Sequence, residues 1–180
     1  SLAAANIKIP EQMQAKDILA KHYRPRTAAF AARDRCDETV DHMRSVRTSQ
    51  FKYIRNFLPN RPYLQPCAYK DAKAILKAVR AEHQAGKLND IQKLVVREVR
   101  PPEELYDVNA DPHEIRNLAN DPKFKDKLTE LRARLDTWME ETKDVGRQPE
   151  SAEMFDSDMA VYVNGLKARR RDSAHTKSIE

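Results

Sequence analysis

The sequence predicts an α+β fold in which short strands and a hairpin come first and a long amphipathic helix comes last. Three observations carry that expectation. Apolar and polar residues alternate with period two across residues 43–57, on both sides of a polar break. Residues 103–108 hold a second short strand pattern. Phe124, Leu128, Leu131, Leu135 and Trp138 then recur at spacings of four and three, which puts them on one helical stripe.

Taken in order, Ile7-Lys8-Ile9-Pro10 reads as a helix end running into an extended, proline-terminated stretch. Residues 27–33 are short, apolar and preceded by Pro25; this suits a buried strand, although period alone leaves helix open. Met43, Ser45 and Arg47 alternate with Arg44, Val46 and Thr48, and Phe51, Tyr53, Arg55 and Phe57 alternate with Lys52, Ile54 and Asn56. The two runs make a hairpin across Thr48-Ser49-Gln50, and without Asn-Gly its turn type stays open. Pro59, Pro62 and Pro66 mark residues 58–67 as loop. From Tyr69 the period changes: Ala72, Ile75, Leu76 and Val79 share a helical stripe, with Gly86 at the position of a C-terminal cap. Asn89 or Asp90 can cap a short helix through Val96, though Leu94-Val95-Val96 also suits a strand. Arg100-Pro101-Pro102 forces extension before the strand at 103–108, which ends in the turn Asn109-Ala110-Asp111-Pro112. Asp121 as N-cap and Pro122 at the first helical position open the long helix. Burying its five large apolar side chains contributes about 1.5–3 kcal/mol each before entropy, so this helix is expected to anchor the fold. Past Gly146 the chain turns polar, apart from Met154-Phe155 and Val161-Tyr162-Val163, and ends in the basic run Lys167-Ala168-Arg169-Arg170-Arg171 of an expected disordered tail.

Composition narrows the function classes. Charged residues make up 34% of the 180 and no apolar run approaches the roughly 20 residues of a membrane span. No basic-then-apolar leader is visible at the start. Three glycines, at 86, 146 and 165, cannot build a phosphate-cradling loop. His22, His42, His83, His113 and His175 never stand three or four apart, so no metal cluster is expected. Cys36 and Cys67 match no paired metal or redox spacing and can either pair or remain two thiols. The first 102 residues carry 20 basic against 10 acidic side chains, and the next 42 carry 7 against 12. A basic face of that kind suits an anionic partner, such as a sulfated glycan, a nucleic acid or an acidic surface, or is merely a solvated mixed surface.

The densest polar stretch, Arg33-Asp34-Arg35-Cys36-Asp37-Glu38-Thr39-Val40-Asp41-His42, sits between the first strand and the hairpin. Its charges can pair with one another and tie down a loop. Alternatively it is a recognition loop: Arg33 or Arg35 grips an anionic group in bidentate fashion, while Asp34, Asp37, Glu38 and His42 meet the rest of a substrate, carboxylates accepting sugar hydroxyls.

Glu104-Leu105-Tyr106-Asp107, then Asp111-Pro112, Glu114 and Asn117-Leu118-Ala119 resemble the E-L-Y-D-x-x-x-D-P-x-E-x-x-N-L-A string near the C-terminus of sulfatases. The hairpin strings Met43-Arg44-Ser45-Val46-Arg47-Thr48 and Phe51-Lys52-Tyr53-Ile54-Arg55-Asn56, and the opening through Ile7 to Gln14, are similar to the same family. So is Met154-Phe155-Asp156-Ser157-Asp158-Met159-Ala160, which resembles bacterial members. Within that family the resemblance is to the heparan N-sulfatase-like branch.

That resemblance implies the C-terminal part of an alkaline-phosphatase-like sulfatase: a four-stranded antiparallel sheet carrying the long helix, docked on a catalytic α/β domain and helping to shape its substrate pocket. Residues 1–26 would be the connector from that domain, 27–145 the subdomain and 146–180 the tail. Sulfatases act on sulfate esters or sulfamates through a formylglycine, made from the Cys or Ser of C/S-x-P-x-R, together with calcium. Neither cysteine fits, since Glu38 and Tyr69 stand where Pro is required. Nucleophile and metal ligands would then lie before Ser1, and the chain by itself would be inactive. A sulfated carbohydrate substrate and an extracytoplasmic location are further implications. The competing reading is a stand-alone basic module for heparin-like glycans or nucleic acid, although no aromatic and basic interleaving of a nucleic-acid fold is present.

Overall fold

The computed structural model describes residues 2, 4–13, 16–36, 39–148, 150–154, 156, 159–160 and 164. Four strands, β1 (Ala29–Cys36), β2 (Thr39–Arg47), β3 (Phe51–Asn56) and β4 (Glu103–Asp107), form one antiparallel sheet in chain order. Between β3 and β4 lie α1 (Ala68–Asp71), α2 (Ala74–Gln84) and α3 (Asp90–Val96); a 3-10 turn (Pro122–Phe124) leads into α4 (Lys125–Glu141).

The β2–β3 hairpin falls where the alternation puts it, with Val46 opposite Tyr53 and Ser45 opposite Ile54. Thr48 supplies what Asn-Gly would have. Its hydroxyl accepts from the Phe51 amide at 2.9 Å, and its own amide donates to the Phe51 carbonyl at 2.8 Å. On one face of the sheet Val46, Phe51, Tyr53 and Leu105 meet Leu128, Leu131, Leu135 and Met139 of α4. Met139, absent from the expected stripe, takes the buried place, whereas Trp138 is half-buried and stacks flat on Phe30 of β1, centroids 5.1 Å apart. Two polar latches flank the apolar contact. Glu103 accepts from the Tyr53 hydroxyl and from Arg132 of α4, and Arg55 donates to both oxygens of Asp136 at 2.6 and 3.2 Å. Burial pushes the Tyr53 phenol up to about 12.

The 104–119 string is a stack of loop-closing devices. Asp107 accepts from the amides of Asn109 and Ala110, and Asp111 from those of Ile115 and Arg116. Asn117 acts as a substitute strand along the free edge of β4. Its amide group accepts from Leu105 N at 2.9 Å and donates to Glu103 O at 3.0 Å, and Leu118 N adds a bond to Leu105 O. These residues build the fold: Asp107, Asp111 and Asn117 close backbone, while Glu104 and Glu114 accept from Asn56 and Lys52 of β3.

Three expectations need correction. Residues 27–33 form an edge strand that runs on to Cys36, with Ala29, Ala31 and Ala32 exposed; paired on one side only and carrying methyl side chains, it has little to bury. The described residues of the dense polar stretch are strand and not loop, since Arg33, Asp34 and Arg35 lie on β1 and Asp41 and His42 on β2. The helix expected from Tyr69 breaks before Ala74, and no residue of the α2 stripe is fully buried, Ile75 being 69% exposed. Its end is as expected: Gly86, at φ +69°, closes a cap in which Lys87 N bonds Glu82 O. Asn89 and Gln92 close a reciprocal capping box on α3, a helix and not a strand. Both cysteines are free thiols, Cys36 exposed and Cys67 buried. Phe155, residues 161–163 and the basic run from Lys167 lie outside the described residues, and no described helix is long and apolar enough to cross a membrane.

Candidate functional site

The register of β1 on β2 slips between Arg33, opposite Met43, and Arg35, opposite Val40, so β2 carries an extra residue there. Asp41 and His42, consecutive residues in that stretch, are both buried, at 1% and 4% exposure.

His42 and Arg44 meet the chain returning from α4. That helix ends with Lys143 at φ 53° and Asp144 N bonded to Met139 O, a turn that swings Asp144 back over β2. Arg44, 1% exposed, donates to both oxygens of Asp144, from Nε at 2.5 Å and Nη2 at 2.9 Å, and its Nη1 is 2.7 Å from Asp34 of β1. The Asp144 hydrogen bonds hold the guanidinium well above its ordinary range, and Arg44 holds the Asp144 carboxyl below its own. His42 Nδ1 lies 3.1 Å from the Gly146 carbonyl and 3.6 Å from Asp34 Oδ1.

Asp41 instead meets Arg100, from the segment before β4. The pair is bidentate at 3.0 and 2.6 Å, Arg100 also donates to the Leu58 carbonyl, and the Tyr63 ring lies 5.4 Å from the guanidinium. Arg33 Nε stands 4.0 Å from Asp41. Arg35 reaches Glu150 at 3.5 Å.

Of the residues expected to contact a ligand, Arg33, Asp34 and Arg35 therefore share one hairpin end, Asp34 being 56% exposed. His42 is brought to the same place but lies beneath the surface, while Asp37 and Glu38 lie outside the described residues. Sequence reasoning missed Arg44, Arg100, Asp144 and Gly146. Gly146 had a signal, being a glycine just past a helix end. A Cβ there would stand 1.6 Å from Arg44 Nη2. Gly146→Ala is accordingly expected to cost about 1–3 kcal/mol by displacing a guanidinium held by two carboxylates, read as a lowered urea midpoint. A midpoint equal to wild type would mean that Arg44 moves freely.

Among the described residues no group of three or more His, Cys, Asp or Glu is placed to hold a metal ion. Cys67 is buried, and neither cysteine stands in C-x-P-x-R. These described residues fit neither calcium nor formylglycine.

No family model matches the chain. It is 39% identical over 145 residues to an ulvan-active sulfatase of Formosa agariphila, a span that covers 80% of this chain and 24% of that protein. The chain belongs to the sulfatase family. A second sulfatase relative, N-sulphoglucosamine sulphohydrolase of Homo sapiens, is 32% identical over 123 residues, covering 64% of this chain and 23% of that protein. The fold agrees with the solved structure of a 2-O GAG sulfatase at TM-score 0.51 and 22% identity, over 79% of this chain and 23% of that one. The chain spans about a quarter of the length of the curated relatives it matches, and corresponds to the C-terminal part of a sulfatase.

Proposed function

We propose that residues 27–145 are the C-terminal subdomain of a sulfatase that hydrolyses sulfate esters or sulfamates of a sulfated carbohydrate, with residues 1–26 as the connector to an N-terminal catalytic domain and 146–180 as a polar tail. The 39% identity to an ulvan-active sulfatase across 145 residues carries this reading. In it, nucleophile, formylglycine and calcium belong to the catalytic domain, and the whole protein works outside the cytoplasm. The β1–β2 hairpin is the substrate rim. Arg33 and Arg35 face the anionic groups, Asp34 accepts sugar hydroxyls and is held in place by Arg44, and Asp37 and Glu38 are further candidates for the same substrate. His42 supports the rim from below.

Sulfate binding by Arg33 would rest on charge-assisted hydrogen bonds. Losing one such bond costs about 1.5–3 kcal/mol, so in the whole enzyme Arg33→Ala should lower kcat/KM on the natural glycan about ten- to hundredfold. Turnover of a small aryl sulfate, too short to reach the rim, should hold. Equal losses on both substrates that track a lower Tm would make the hairpin an ion-pair clamp only. The 180-residue chain alone should not turn over an aryl sulfate with calcium present; turnover above a heat-killed control would refute the assignment of catalysis to another domain.

A further inference from the structure

We propose that a second site, a cleft between the segment preceding β1 and the C-terminal half of α4, binds an anionic sugar unit. The proposal deepens the reading above by giving the sulfated carbohydrate a second contact, away from the hairpin rim.

The cleft encloses about 530 Å³, and among its lining residues are Lys16, Arg26, Thr27, Phe30, Arg134 and Trp138. That volume falls within the roughly 300–1,000 Å³ of small-ligand sites. Three of the lining side chains are cationic and none is a carboxylate. A concave surface of one sign concentrates ligands of the other. The polarity is unexpected on α4, since residues 103–144 are acid-rich.

The apolar part of the lining is an aromatic platform. Trp138 lies parallel to Phe30, with 3° between the rings, and stays half-buried because Met139 occupies the core position beside it. Arg134 stands one turn before Trp138 on the same face of α4, and its guanidinium donates to the Thr27 hydroxyl. A rigid ring beside a held guanidinium offers an apolar face to the C–H side of a sugar and a planar donor fork to a sulfate or carboxylate on it. A nucleic acid would also be attracted by the charge. The cleft takes one or two rings and has one platform, whereas tracking a strand needs successive bases stacked along a groove.

Trp138 is the single tryptophan of the sequence, so its emission reports the cleft directly. The chain is titrated with a heparin tetrasaccharide, maltotetraose, inorganic sulfate and oligothymidine. A saturable emission change with the heparin tetrasaccharide, absent with maltotetraose and inorganic sulfate, is expected. Arg134→Met should weaken it about tenfold or more with an unchanged urea midpoint, and Arg33→Ala should leave it as in wild type. That last variant separates the two sites: a hairpin failing its turnover test leaves this result standing, and the reverse. No emission change up to millimolar tetrasaccharide, equal affinity in Arg134→Met, or oligothymidine binding as tightly as the tetrasaccharide would each overturn the proposal.

Discussion

Arg100→Ala is expected to destabilise the folded chain by about 3–5 kcal/mol. Arg100 and Asp41 are 0% and 1% exposed at their side chains, and the bidentate pair is completed by the Leu58 carbonyl and the Tyr63 ring. Removing the guanidinium leaves the Asp41 carboxylate buried, and Arg33, 4.0 Å away and 39% exposed, is too distant to replace two hydrogen bonds. The pair also ties the segment before β4 to β2. Most of the expected loss is the penalty on the orphaned partner. Asp41→Ala should therefore cost a similar amount, and the double replacement distinctly less than the sum of the two. Urea unfolding followed by far-UV circular dichroism measures all three. A loss under about 1 kcal/mol for Arg100→Ala would mean that Asp41 reaches water in solution.

Leu131→Ala should cost about 2–5 kcal/mol, through the lost transfer free energy and the cavity it opens between α4 and the sheet. Leu131 is 0% exposed in the cluster of Val46, Tyr53, Leu105 and Leu135, where partners on both layers are fixed by the hairpin register and the Glu103 and Asp136 latches. Ile75→Ala on α2 provides the contrast. It removes an aliphatic side chain of the same size from an equally regular stripe, yet Ile75 is 69% exposed, so the change should stay within about 0.5 kcal/mol. Similar losses at both positions would show that the α2 stripe is buried in the chain as it exists in solution.

The two leucine-type stripes show what local pattern can and cannot say. Periods of two and 3.6 residues are properties of the chain itself, so the β2–β3 hairpin, β4 and α4 were legible from the alternation at 43–57, the short strand pattern at 103–108 and the repeat from Phe124 to Trp138. Caps were equally legible at Gly86, Asn89 and Asp121, because their partners lie within a few residues. The 104–119 string identified the family, and its Asp107, Asp111 and Asn117 close backbone within the same short span. Which stripe finds a partner is a different matter: α2 and α4 look alike until the sheet covers one of them.

The candidate site was half legible for the same reason. Arg33, Asp34 and Arg35 stood out as dense charge, and the structure keeps them together on one hairpin end. That its described residues are strand and not loop, with Asp41 and His42 both buried, only the paired sheet decided. The groups that hold those residues come from far along the chain, Asp144 being 100 positions from Arg44 and Arg100 being 59 from Asp41. The sequence by itself determined the β2–β3 hairpin, β4, α4, the caps at Gly86 and Asn89 and the family; the tertiary structure alone decided which charges are buried and by what they are neutralised. A buried ion pair leaves no periodic trace, because it exists only once folding has excluded water from two groups that the chain keeps far apart.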